Sequence, residues 1–249
     1  MIANPRLQAP PLLLERPPQA ALPGSNRLLG ALPRDSRAQL LQACEPVELA
    51  FGQCLYEPDA AIEHVYFPDT SFVSVIATAE HRELEVGLIG NEGMIGIPLV
   101  LGLEVSRLRT LVQGPGRALC MRARDFTREL QANPALRRKL NRYLYVRFVD
   151  LAQSALCNRF HLVEARLARL LLMAHDRAAA DSFHLTHRLI AGMLGVRRSG
   201  VTTAAGVLQR RGVISYSRGV ITVLDRAGLE RESCICYRMG LATYERLLS

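Results

Sequence analysis

Along the first 24 residues the apolar side chains follow no period. Pro5, Pro10, Pro11, Pro17, Pro18 and Pro23 interrupt them, and residues 1–24 read as a poorly ordered arm. A short helix is expected at Asp35–Ala43, with Asp35 as its cap and Leu40 and Leu41 turned inward. The pattern then shortens to β-rich runs: Val47–Phe51, Glu63–Phe67, Phe72–Ala77, Leu84–Ile89, Leu108–Val112 and Ala118–Met121. Turn signals such as Phe51-Gly52, Pro68-Asp69, Gly90-Asn91 and Gly114-Pro115-Gly116 separate them. Short strands at this spacing, with no helical crossovers between them, predict an antiparallel sandwich, barrel or roll.

After Asn133-Pro134 the period changes to that of a helix. Leu136, Leu140, Leu144, Phe148, Leu151 and Ala155 recur every three or four residues and predict a helix over 134–157. An apolar stripe of about six turns calls for cover, either from a second copy in a two-fold coiled-coil contact, the preferred reading, or from the roll of the same chain. A second helix carries Leu162, Ala165, Leu167, Leu170, Leu171 and Met173. The predicted fold is α+β: an antiparallel, jelly-roll-like β-roll over 25–132, a dimerisation helix over 133–157, a C-terminal helical domain with a hairpin over 158–232, and a tail over 233–249.

Residues 184–224 are the most informative. His184-Leu185-Thr186 ends an extended piece, and Thr186 can cap a helix over His187–Leu194 whose buried face is Leu189, Ile190, Met193 and Leu194. Gly195 supplies the left-handed residue of a sharp corner, and Ala191 lets the next helix approach closely. That helix, Arg197–Arg211, turns Val201, Ala204, Ala205 and Leu208 inward and groups Arg197, Arg198, Ser199, Thr202 and Thr203 at its head. Gly212 stops it, and Val213–Tyr216 and Val220–Val223 form a hairpin around Ser217-Arg218-Gly219. Helix, corner, basic-headed helix and basic-tipped hairpin, in that order, make a winged helix-turn-helix whose second helix reads the major groove of double-stranded DNA. Arg198, Ser199 and Thr203 are the candidates for base contact. Arg197, Thr202, Arg218, Thr186 and His187 are the candidates for backbone contact.

Charge sharpens this reading. The net charge is +8. Residues 1–154 hold 17 basic and 16 acidic side chains, whereas residues 155–249 hold 14 and 7, so the excess lies in the last third. A basic surface so placed suits a polyanion, nucleic acid or an anionic membrane face. Six scattered cysteines and an apolar run, Leu12-Leu13-Leu14, too short to span a bilayer or form a signal core fit a reducing, cytoplasmic setting with no membrane partner.

The run Leu185–Thr202 resembles the helix-turn-helix of Crp/Fnr-type transcription regulators, and Leu208–Gly219 resembles that family's helix end and wing. His64-Val65-Tyr66-Phe67-Pro68 and Gly87–Gly96 are similar to its N-terminal roll, so the resemblance covers about residues 27–232. It implies a cyclic-nucleotide-binding-like roll, a long dimer helix, a homodimer on promoter DNA, and RNA polymerase as a candidate partner. By position Arg198, Ser199 and Thr203 match the family's base-contacting sites, Ser199 replacing an acidic residue usual there. In cyclic-nucleotide binders of this kind a Gly-Glu pair holds the ribose and an Arg the phosphate. Here Met94 follows Gly93 in place of the Glu, with Arg107 and Arg109 nearby. These four mark a candidate effector pocket that is not expected to take cAMP, and the effector is left open.

No cofactor or metal site is expected. Cys234 and Cys236 supply only two ligands, and His184 and His187 are the only candidates to add to them. A Gly-rich phosphate loop, a zinc-hydrolase His pair with its Glu and a nucleophile elbow are all missing, so no catalytic residue is assigned and no enzyme expected. Glu83 and Glu85 share one face of a strand, where solvation is the default. The alternative to a regulator is a signalling adaptor, with a ligand-sensing roll and a winged domain that binds protein. On that reading Arg197, Arg198, Arg210, Arg211 and Arg218 lose their rationale.

Overall fold

The computed structural model describes residues 26–80, 82–178 and 180–248, so the Pro-rich stretch expected to form an arm lies outside it. The chain enters through α1 (Arg27–Gly30) and α2 (Arg34–Gln42). Asn26 caps α1 by accepting from Leu29 N–H, and its amide donates to the carbonyls of Pro68 and Gly93. Asp35 is not the cap of α2: Pro33 holds that position without a side-chain bond, and Asp35 lies in the first turn, where a negative charge suits the helix dipole. Leu40 is buried as expected; Leu41 is only partly so.

The roll is built from β1 (Glu45–Leu49), β2 (Cys54–Tyr56), β3 (His64–Pro68), β4 (Phe72–Ala79), β5 (Arg82–Ile89), the short α3 (Ile97–Val100), β6 (Arg109–Gly114) and β7 (Gly116–Arg122). Two antiparallel sheets result, ordered β1-β7-β3 and β2-β6-β4-β5. All six expected runs are strands; β2 is an addition. Helix α4 (Ala123–Ala132) follows and places Phe126 and Leu130 against the roll. The core between the sheets is made by alternate residues such as Val65 and Phe67 of β3 and Val73 of β4, all fully buried.

Helix α5 (Pro134–Phe160) opens with Asn133, whose Oδ1 accepts from the N–H groups of Ala135 and Leu136, and Pro134 fills the first position. Its apolar stripe is split. Leu136 and Leu140 are buried in the core of their own roll, joined there by Tyr143 and Val146. They are therefore not the dimer-interface residues expected from periodicity, because α4 and the roll already cover them. Beyond that point Phe148 is 66% exposed and Leu151 43%, Ala155 is exposed, and Leu144 is half-buried.

Then come α6 (Val163–His175), β8 (Ser182–His184), α7 (His187–Leu194), α8 (Arg198–Arg210), β9 (Ile214–Ser217), β10 (Val220–Val223) and α9 (Arg226–Glu232). They enclose a second core, with Leu167, Leu171, Ile190, Val201, Leu208 and Leu229 among its fully buried members, and a small sheet of order β8-β10-β9. Residues 233–248 are not a tail. Helix α10 (Cys236–Leu248) packs along α5 and ends with Leu248 buried in the roll core.

The two cores are joined by charge. Glu92 accepts two bonds from the Arg177 guanidinium, at 2.6 and 3.0 Å, and both side chains are largely buried. Burial would raise the Glu92 pKa, but Arg177 overcomes this and holds it below the ordinary value. Nearby, Glu85 does not have the solvated role its strand position suggested. It accepts from Ser74 Oγ, and burial raises its pKa to about 7, the Ser74 bond and the guanidiniums of Arg177, Arg147 and Arg169 opposing the shift.

A carboxyl whose folded pKa is raised favours the folded state below its unfolded value, here near 4.5, and that advantage is lost as pH rises through the folded value of about 7. Glu85→Gln, which keeps the acceptor for Ser74, should therefore raise the Tm at pH 8 and change it little at pH 4.5. Thermal unfolding across that range tests this, and a shift of equal size at every pH would refute the assignment.

Candidate nucleic-acid interface

The helix pair takes its shape from local chemistry. Thr186 Oγ1 accepts from Leu189 N–H and caps α7. Gly195 closes α7 at φ 61°, in the left-handed region that the sharp corner needs. Arg166, buried beneath, donates to the Leu194 carbonyl and so satisfies an acceptor at the end of α7. Arg197 is the N-cap residue of α8, and Arg198 begins the helix. Val201, Ala204, Ala205 and Leu208 are buried, which turns the opposite face outward. Arg197, Arg198, Ser199, Thr202 and Thr203 are all exposed there.

Three of the expected backbone contacts, His187, Thr202 and Thr186, have bonding partners within the domain. His187 Nδ1 lies 3.0 Å from Thr202 Oγ1, and that hydroxyl donates to the Arg198 carbonyl, so the imidazole N–H is the donor to Thr202. Burial, and then the neighbouring Arg198 charge, lower the His187 pKa. The ring stacks on Tyr216 with centroids 4.1 Å apart. His187 and Thr202 thus tie α7, α8 and the hairpin together. Thr186 is half-buried with its hydroxyl engaged as the cap. Thr203 Oγ1 donates to Ser199 O and keeps its lone pairs for an incoming donor.

The hairpin has a two-residue tip, Arg218-Gly219, with φ of 51° and 84°. Positive φ at both central positions is the signature of the type I′ turn that matches the twist of the strands. A Cβ at Gly219 would lie 3.1 Å from His184 Nε2, and the Gly219 carbonyl accepts from Leu185 N–H, so the tip is tied to the start of α7. Arg218 occupies a position that ordinarily favours Asn, Asp or Gly.

Ion pairing sorts the arginines. Arg211 pairs with Glu232, and Arg226 lies 2.6 Å from Asp176. Among the described residues Arg188, Arg197, Arg198, Arg210 and Arg218 have no ion-pair partner, and all five are exposed. Arg188, in the first turn of α7, is a member the sequence did not single out; its place directly after His187 was the available signal.

The four residues of the candidate effector pocket all have partners within the protein. Met94 is fully buried in the roll core, and the Tyr143 hydroxyl occupies the space beside Gly93. Arg107 is largely exposed and pairs with Asp59, while Arg109 pairs with Glu57 and Glu83 on the surface. The expected histidines do not approach Cys234 and Cys236 either: His184 packs edge-on against Phe51. Cys157 and His161 do, bringing four donor groups together at the end of α5. Neither is near them in sequence, which is why the spacing did not reveal them.

Comparison with known proteins agrees with this geometry. Residues 165–232 match the Crp-like helix-turn-helix domain family. No curated protein sequence matches the chain. Among solved structures, FixK2 from Bradyrhizobium japonicum is similar with a TM-score of 0.62 and 18% identity, over 77% of this chain and 98% of that one. A putative crp/fnr-family transcriptional regulator from Eubacterium rectale gives the same TM-score and identity over 85% and 97%. A CRP-family regulator from Thermus thermophilus gives 0.62 and 20% over 75% and 96%. At these identities the structures establish the fold. No helix among the described residues is long and apolar enough to cross a membrane.

Left-handed backbone at a non-glycine residue costs on the order of 1–2 kcal/mol. Arg218→Asn should therefore raise the Tm, and Gly219→Ala should lower it. Thermal unfolding of both variants checks the turn; the opposite order would contradict it.

Proposed function

We propose that this chain, a DNA-binding transcription regulator of the Crp/Fnr type with a Crp-like helix-turn-helix domain on that fold, binds promoter DNA as a homodimer with α8 in the major groove. One observation carries this reading: Arg188, Arg197, Arg198 and Arg218, exposed and without ion-pair partners among the described residues, stand at the starts of α7 and α8 and at the hairpin tip, while Arg211 and Arg226 are neutralised within the domain. In solution such cations gain most by displacing counterions from phosphate. Arg198, Ser199 and Thr203 read base edges. Arg197, Arg188 and Arg218 hold the backbone, and Thr202 acts with His187 to fix α8 against α7.

The dimer contact falls on the outer half of α5. Leu144, Tyr145, Phe148, Leu151, Ala155 and Leu156 form a stripe at coiled-coil spacing, partly or fully exposed in the single chain. A second copy covers it and sets the two recognition helices about 34–36 Å apart, one turn of DNA. Residues up to 132 act as a sensor domain. A cyclic nucleotide is not the expected effector, because Met94 stands in place of the Glu that would accept from the ribose hydroxyls.

Binding to the protein's own upstream promoter and to scrambled DNA, measured across a salt series with no effector added, tests the reading. Specific binding with a steep negative salt slope is expected; DNA binding without salt dependence would overturn it. Arg198→Ala should cost about 1–3 kcal/mol on the specific site and relax preference at one base pair, whereas Arg218→Asn should weaken both DNAs alike. Phe148→Asp should yield a monomer by sedimentation, and a dimer that persists would place the interface elsewhere.

A further inference from the structure

Cys157 lies in the last turn of α5, and His161 follows as its C-cap residue. Cys234 and Cys236 flank the entry to α10. One ligand atom from each of the four lies within 4.8 Å of every other. Cys157 Sγ is 3.5 Å from Cys234 Sγ, and Cys236 Sγ is 3.5 Å from His161 Nδ1. The three cysteines are free thiols and are buried, in a small cluster of their own between the two large cores.

These distances have a chemical meaning. A tetrahedral zinc ion with bonds of about 2.3 Å to sulfur and 2.0–2.1 Å to nitrogen separates its ligands by about 3.8 Å (S–S) and 3.6 Å (S–N). The closest S–S and S–N pairs here are within a few tenths of those edges, and no pair exceeds them by much more than an ångström. An iron–sulfur cluster holds its cysteines on several metal atoms and needs a wider cage. The surroundings also suit metal-bound thiolates. Gln153 Nε2 donates to Cys236 Sγ at 2.9 Å, and Arg169 lines the same cavity as Cys157. Three thiolates on a divalent ion leave one negative charge, which Arg169 complements.

We propose that Cys157, His161, Cys234 and Cys236 bind one Zn²⁺ ion in a closed, four-coordinate structural site. The place of this site in the chain gives it a use. The polypeptide enters the winged domain from Cys157 and His161 and leaves it at Cys234, so the ion clamps entry and exit together at the neck joining the domain to α5. Cross-linking residues so far apart in sequence restricts the unfolded chain and fixes the direction in which α8 is carried. The site stands whether or not α8 reads DNA, since its ligands are not in that surface.

The full-length protein, purified under reducing conditions, should contain one zinc per chain. After removal of zinc by a chelator, titration with Co²⁺ should give thiolate-to-cobalt charge-transfer and tetrahedral d–d bands that saturate at one equivalent. Gln153→Ala should weaken Co²⁺ binding about ten- to a hundredfold, Cys236→Ser should abolish the saturating bands, and Cys44→Ser should leave them unchanged. The titration of the unaltered chain stands even if a variant fails to fold. Failure to saturate, bands unaltered in Cys236→Ser, iron accompanied by acid-labile sulfide, or a Cys157–Cys234 disulfide in the reduced preparation would each overturn the proposal.

Discussion

A helix of 27 residues runs about 40 Å, and the other parts of this molecule are arranged by how that length is covered. Apolar side chains at helical spacing cannot be left in water without cost, yet no single neighbour reaches from one end of α5 to the other. The roll covers Leu136, Leu140, Tyr143 and Val146. Helix α10 returns along α5 and buries Leu248 in the same core. Cys157 closes into the cysteine cluster at the far end. Between these lies the stretch around Phe148 and Leu151 that one chain does not cover. The proposed coiled-coil contact answers to this stretch, where Tyr145, Phe148, Leu151 and Leu156 stay exposed in the single chain.

The joint between the roll and the winged domain follows a different logic. Glu92 and Arg177 are both withdrawn from water, so the pair is a weak source of net stability and a strong source of position: removing either partner would leave a buried charge without compensation. The Glu92 carboxylate also accepts from Gly90 N–H, and its backbone carbonyl accepts from the Tyr244 hydroxyl, so β5, α6 and α10 meet at one residue. Glu85 beside it is held close to the point of losing its proton at neutral pH. A change in charge at this joint is felt by both domains, because the same guanidiniums serve both carboxylates.

The winged domain was legible in the sequence because its geometry is written in short-range signals. Thr186 caps, Gly195 and Gly212 adopt positive φ, and Arg218-Gly219 turns the hairpin; each acts within a few residues of itself, and the structure has each in its expected role. Periodicity likewise located α5 and the strands. It could not say which partner would cover each part of the stripe, and so it put Leu136 and Leu140 in a dimer contact, although the roll covers them. Helix α10 was missed although Tyr237, Leu241, Tyr244 and Leu248 stand at helical spacing, because much of what they meet, such as Glu92 and α5, lies far upstream. Met94 shows the same limit: its identity excluded one ligand chemistry, while its burial depends on packing that no local pattern encodes. The stacked His187 was beyond reach because its position is set by Thr202 and Tyr216, contacts that exist only once the helices have docked.

The division of labour at the head of α8 follows from which hydroxyls are already occupied. Thr202 donates to Arg198 O and accepts from His187, so two of its bonding positions are used within the protein. Thr203 donates to the backbone but has no such second partner, and no hydrogen bond engages the Ser199 hydroxyl among the described residues. Ser199 and Thr203 can therefore change partners when a base edge arrives, while Thr202 would have to break a bond that also orients His187 and, through it, the hairpin. A surface that reads sequence needs both kinds of residue, some bonded inward so that the helix does not shift, and others uncommitted so that the bases decide the fit.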